Sequence, residues 1–304
     1  MTPLLLVAFS FAPADGGDTH LLRYKFTPGE SLRNRITTAV MMDSKVQGNA
    51  QLVRNAGMTV QRVDVLPTPA EAPQETAGVV QVRSERVKLS MQFDANKPIH
   101  YDSEAKDPPP EGFEAVHKVA KAPLGELTIS DRGTVMAAKS LLPGKENVAA
   151  QSAAEAYDDL FPTLPEAPVA VGATWDEMLS IKVQEGENAN LLKPWKLRRR
   201  STLTKVEDGV ATISVKVTPL PPPTDPFFQQ QLAMKCPAGL VEFDIAKGRI
   251  LTLRAEVDQQ IIGLGGPGGF LHLKSLHYQE LLESGPTSEM TPPRVAAGDK
   301  TPAN

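Results

Sequence analysis

Apolar and polar side chains alternate strictly in several stretches of the chain, and a period of two fits one backbone conformation only. Val87, Leu89, Met91 and Phe93 are separated by Lys88, Ser90 and Gln92; Ala211, Ile213, Val215 and Val217 by Thr212, Ser214 and Lys216; Leu251, Leu253, Ala255 and Val257 by Thr252, Arg254 and Glu256. An extended strand sends successive side chains to opposite faces, so each stretch carries one oily face and one wet face. Strands of that kind build antiparallel sheets solvated on one side. Shorter runs expected to be strands are Leu22 to Thr27, Met58 to Leu66, Leu127 to Ser130, Val135 to Ala138, Val241 to Ile245 and Leu271 to Leu276.

Helical spacing is rarer. Val148, Ser152, Ala156 and Leu160 fall on one stripe, with Asn147 as a cap and Pro162 and Pro165 as stops, which predicts a helix over Asn147 to Phe161; a second is expected over Phe113 to Val119. Prolines, 27 in all, are concentrated in part at 67–73, 108–110, 162–168 and 219–226, which read as surface loops. The fold class expected is therefore mainly β with one or two helices.

The chain also repeats itself. Thr27-Pro28-Gly29-Glu30-Ser31-Leu32 has a counterpart in Ala170-Val171-Gly172-Ala173-Thr174-Trp175, and Gly78-Val79-Val80 in Gly209-Val210-Ala211. Pro123 to Leu127 and Asp131 to Val135 then match Pro237 to Val241 and Ala246 to Ile250, each pair reading as a hairpin with Gly133 or Gly248 at the turn. Blocks in the same order predict duplicated, curved antiparallel sheets forming an open or partly closed barrel, either continuous or as two sub-barrels. The division expected is a signal peptide at 1–14, a first β repeat at 15–144, a helix and Pro-rich linker at 145–168, a second β repeat at 169–283 and a disordered tail at 284–304.

Phe161-Pro162 and Pro168 to Trp175, with the two glycine-turn hairpins, resemble a family of exported bacterial β-rich proteins classed as a domain of unknown function. The resemblance spans roughly residues 20 to 280. It implies a β architecture and a location outside the cytoplasm, and it brings no activity and no site residues with it.

Location has its own signal in the residues. Pro3 to Phe11 is apolar and uncharged, and Ala12-Pro13-Ala14 offers the small residues that a signal peptidase accepts. The run is too short to span a bilayer, so a soluble periplasmic or secreted protein without stable membrane insertion is expected once the signal is removed. Cys236 is alone, which rules out a disulfide within the chain. A net charge of −4 spread along the sequence provides no field for nucleic acid.

No catalytic, metal or cofactor motif stands out. Gly263 to Gly269 contains the glycine spacing of a dinucleotide loop, but Phe270 to Lys274 alternates like a strand where a helix is needed, so a plain loop is expected. His272 and His277 lie five apart, which puts them on opposite strand faces. Asp158-Asp159 and Glu185-Gly186-Glu187 match no calcium-loop spacing. Cys236 has no histidine beside it and reads as a half-buried, inert thiol. Arg198-Arg199-Arg200 reads as a charged strand edge that deters aggregation. The expectation is an exported binding module for a lipid-like or otherwise apolar small molecule, not an enzyme and without a cofactor. Two alternatives stay open: a structural or interaction component with an envelope protein as partner, and a hydrolase whose carboxylates meet only in the fold.

Overall fold

The structure is a computed structural model that describes residues 18–142, 162–185 and 191–282. The signal segment, the helix expected over Asn147 to Phe161 and the tail from residue 284 lie outside the described residues. The strands run in chain order as β1 (Ser31–Val46), β2 (Asn49–Leu66), β3 (Thr76–Phe93), β4 (Ile99–Asp102), β5 (Pro123–Ser130), β6 (Val135–Ser140), β7 (Thr174–Gln184), β8 (Leu192–Glu207), β9 (Val210–Leu220), β10 (Ala238–Asp244), β11 (Arg249–Ile262) and β12 (Phe270–Leu282). Helix α1 (Glu114–Val119) follows β4, and helix α2 (Pro226–Ala233) follows β9.

The protein is mainly β. Among the described residues the strands form one 12-stranded antiparallel sheet in the order β6-β5-β3-β2-β1-β12-β11-β10-β9-β8-β7, with β4 added beside β3. The sheet is open, with β6 and β7 at its ends. Each half is a meander, and the pairing of β1 with β12 fuses the halves into one surface, so separate sub-barrels do not form. The repeated sequence blocks fall on matching places in the two meanders: the starts of β1 and β7, the β5–β6 turn and the β10–β11 turn.

Residues directly opposite each other in a ladder share a face. Following the registers, Leu32, Val63 and Val82 lie on the same face as Leu253, Val241, Ile213 and Leu203. The fully buried side chains concentrate on this face, in clusters around Phe243 and Leu203 in one half and Val80, Leu127 and Ile129 in the other.

Residues 20–26 bend the sheet around that face. The N–H of Tyr24 donates to Asp131 O at 2.7 Å and the N–H of the next residue, Lys25, donates to Gly248 O at 3.0 Å. Those acceptors sit in the β5–β6 and β10–β11 turns, five strand spacings apart, which would be about 24 Å in a flat sheet. Two consecutive residues reach both only if the turns approach to within about 10 Å. The sheet must therefore curl, and the buried face is its inner face.

Arg23 fixes this strap with its whole guanidinium: Nε meets Asp131 at 2.9 Å, Nη1 donates to Leu22 O and Pro165 O at 2.7 Å each, and Nη2 donates to Glu166 O at 2.5 Å. Phe26 packs on both clusters and joins them. The strand expected over Leu22 to Thr27 is thus corrected: the segment is extended, but its amides serve turns and not a neighbouring strand.

Polar networks tie the outer face. Asp64 accepts from Ser31 Oγ at 2.5 Å and Arg62 Nε at 2.7 Å, and Arg83 lies 3.3 Å away. Burial opposes ionisation of this carboxyl, but the Ser31 and Arg62 hydrogen bonds and the charges of Arg62 and Arg83 outweigh it and hold Asp64 below its usual range. Asp102 is lowered in the same way, with burial opposed by the Glu104 amide, Arg86 and Lys88. A depressed carboxylate stabilises the fold above its unfolded pKa near 4 and loses that contribution as the pH falls through the folded value. Asp64→Asn is expected to cost about 1–2 kcal/mol at pH 7 and clearly less at pH 3, read from urea midpoints at the two pH values. An equal cost at both would break the link to ionisation.

Candidate ligand-binding cleft

The inner face is not filled everywhere. Between the strap and α2, the floor formed by β9 to β12 leaves a cleft of about 220 Å³. Val215, Val217, Val241, Leu253, Ala255 and Val257 form its apolar wall, and Pro162 and Met234 stand at its rim. Gly239 keeps the floor bare: a Cβ there would collide with the carbonyl of Arg254 on the paired strand, so no side chain can grow into the space.

Helix α2 covers one end. Asp225 caps it, with Oδ1 accepting from the Phe227 N–H at 2.8 Å, and Pro226 occupies the first turn where a missing N–H costs nothing. Leu232 and Ala233 face the sheet, and the Phe228 ring packs on Trp195 with centroids 5.3 Å apart. Beyond the helix a more open groove of about 570 Å³ runs along Leu179, Ile181 and Leu197, and it shares Arg199 and Val217 with the first cleft.

The polar groups on this surface are few. Arg199 is 6% exposed; its Nη1 meets Glu177 Oε2 at 3.2 Å, and Glu177 Oε1 accepts from Thr163 Oγ1 at 2.8 Å. Trp175 Nε1 donates to Thr163 O at 2.7 Å and holds that partner in place. Ser275 and His277 line the cleft from β12. A second, smaller cavity of about 40 Å³ lies further along the inner face of β12, lined by Asn34, Gln61, Arg249 and Gln279 under Tyr24 and Phe26.

The residues singled out by the sequence divide as follows. Cys236 is half-buried against the cluster of Leu232 and Val217, and burial pushes its thiol up to about 11, which keeps it protonated. Gly263 to Gly269 is the β11–β12 connection, closed by Gly263 N–H on Gly269 O at 2.7 Å and followed by a strand. His272 turns outward and pairs with Asp258 at 2.8 Å, while His277 turns inward to the cleft. Asp158-Asp159 and Gly186-Glu187 lie outside the described residues.

The arginine run requires a correction. β8 lies between β7 and β9 and is not an edge, so Arg198 to Arg200 guard nothing from aggregation. Arg200 makes a two-pronged pair with Asp176, 2.8 Å on each prong, on the outer face, whereas Arg199 turns into the core. Inner-face polar residues were the ones sequence reasoning missed. Their signal was a polar side chain in an apolar phase: Arg199 two residues after Leu197, and Gln279 two before Leu281.

Comparison with protein-family models gives no match, and comparison with curated protein sequences gives none. Among solved structures the chain is similar to lipovitellin, in a structure entitled "Lipid-protein interactions in lipovitellin", at 11% identity and a TM-score of 0.47. The overlap covers 88% of this chain and 27% of that one, so the chain spans about a quarter of the lipovitellin chain. It is also similar to DynF from the dynemicin biosynthesis pathway of Micromonospora chersina, at 8% identity and a TM-score of 0.21, over 91% of this chain and 92% of that one. Neither overlap is close enough to carry function across.

Proposed function

We propose that the protein is an exported binding or carrier module whose inner face holds a single apolar, lipid-like chain. The observation that carries this reading is the cleft itself, walled by Val215, Val217, Val241, Leu253, Ala255 and Val257. Its volume of about 220 Å³ lies below the range of roughly 300–1,000 Å³ usual for drug-sized ligands, which favours a narrow chain over a fused ring system. The apolar run Pro3 to Phe11 with Ala12 and Ala14 supports export. Among the described residues no helix is long and apolar enough to cross a membrane.

Native mass spectrometry of the mature protein purified from its own cell envelope is the direct test, with a co-purifying lipid as the expected result. Ala255→Phe places a ring in the cleft and is expected to weaken binding of a fluorescent fatty-chain probe about tenfold or more, since the displaced chain loses roughly 1.5–3 kcal/mol of apolar contact. Full probe affinity in a folded Ala255→Phe protein, with no lipid in the native preparation, would end this reading.

A further inference from the structure

The small cavity beside the cleft has a chemistry of its own. Gln279 is 6% exposed, and its Oε1 lies buried without a hydrogen-bond partner. The Nε of Arg249 is buried without a partner as well, and both residues line the same 40 Å³ space. One offers an acceptor and the other a donor. The amides of Asn34 and Gln61, 9% and 7% exposed, complete the polar side. Leaving such groups unmatched in a core is costly, and two of them facing one space, an acceptor and a donor beside two further buried amides, call for a polar occupant.

Charge and size narrow the choice. Arg249 already has its counter-ion, with Nη1 2.8 Å from Glu30 Oε1, so an anion entering the cavity would face the Gln279 oxygen with no unpaired cation to balance it. A cation would meet the guanidinium. A small uncharged group that accepts from Arg249 and donates to Gln279 fits both, and among the head groups of a ligand that is a hydroxyl, which takes the place that water would hold; 40 Å³ admits a group of that size. The cavity neighbours the cleft along β12, with no lining residue in common: Leu253 in the cleft wall is directly opposite Gln279, and His277, also in the cleft, precedes it on the same strand face.

We infer that the ligand is an amphiphile with an uncharged hydroxyl head, seated between Gln279 Oε1 and Arg249 Nε with its chain running into the cleft. The inference rests on the preceding reading of the cleft as a chain site. Gln279 selects the head and the apolar wall takes the tail.

Calorimetric titration of the delipidated mature protein with decanol, decane and decanoate tests it. Decanol is expected to bind about tenfold more tightly than either companion, the effect of one well-placed hydrogen bond. Gln279→Leu, and Gln279→Met as a second variant of unbranched shape, are expected to bring decanol affinity down to that of decane in a protein that melts no lower than the natural one, since each removes an unpaired buried acceptor. The inference is overturned if decanol and decane bind the natural protein alike, if the variants keep the preference, or if a crystal structure with decanol shows only water in the cavity. Should none of the three chains bind, the cleft is no chain site and the reading beneath the inference fails with it, a result distinct from binding without preference.

Discussion

Gly248→Ala is expected to destabilise the protein by about 3–4 kcal/mol, against about 1 kcal/mol for Gly209→Ala. Both glycines sit in β-turns with left-handed backbone, at φ +63° and +78°. An alanine at either position meets the same backbone penalty. The difference is what lies above them. Nothing stands within 4 Å of a Cβ built at Gly209, whereas at Gly248 that atom would lie 2.6 Å from Arg23 O and 2.7 Å from Lys25 N, both backbone atoms of the strap. To make room the strap must lift, and the Lys25 amide then loses Gly248 O, which holds the curl of the sheet. Gly133 at the opposite turn is in the same position under the Tyr24 ring, so Gly133→Ala should behave like Gly248→Ala. Urea denaturation of the three variants reads the comparison. Equal losses at Gly248 and Gly209 would mean that the strap does not press on the turn.

The strap also marks where sequence reading reaches its limit. Leu22, Tyr24 and Phe26 alternate with Arg23 and Lys25, as they would in a strand, because any extended segment laid on an apolar surface buries every second side chain. Periodicity reports where side chains point and is silent about where the amides bond. The clean alternations at 87–93, 211–217 and 251–257 were legible as strands because only one of their faces is covered. β1 and β2 were harder to read: Val40 faces inward while Ala39, Met41, Met58 and Val60 are buried on the other side, and burial on both faces erases the pattern.

Helix α2 was lost inside a proline-rich stretch, although Asp225-Pro226, a cap followed by a first-turn proline, was its local signal. The cleft was not legible at all as a set of residues. Its walls come from β9 to β12 and its rim from Pro162 and Met234, and nothing short of the curl brings these together.

The second large effect concerns the aromatic contact beneath the strap. Tyr24 is 3% exposed and meets the fully buried Phe243 edge-on, with ring centroids 5.4 Å apart, while its hydroxyl donates to Pro162 O at 3.1 Å. Tyr24→Phe removes one neutral hydrogen bond and should cost about 1 kcal/mol. Tyr24→Ala and Phe243→Ala each empty a ring-sized space and should cost about 3–5 kcal/mol. The double variant should fall short of their sum by about 0.5–1.5 kcal/mol, the worth of the ring contact itself.

Burial raises the Tyr24 phenol far above its ordinary range, so the neutral ring is what the fold accepts. Its contribution is complete below the unfolded value near 10 and is lost as the pH climbs beyond it, which predicts an alkaline loss of stability that Tyr24→Phe relieves. If Tyr24→Ala costs no more than Tyr24→Phe, the ring is not what draws the two turns together. The curl would then rest on the strap's amide bonds to Asp131 O and Gly248 O and on the Arg23 guanidinium, with no share from the aromatic contact.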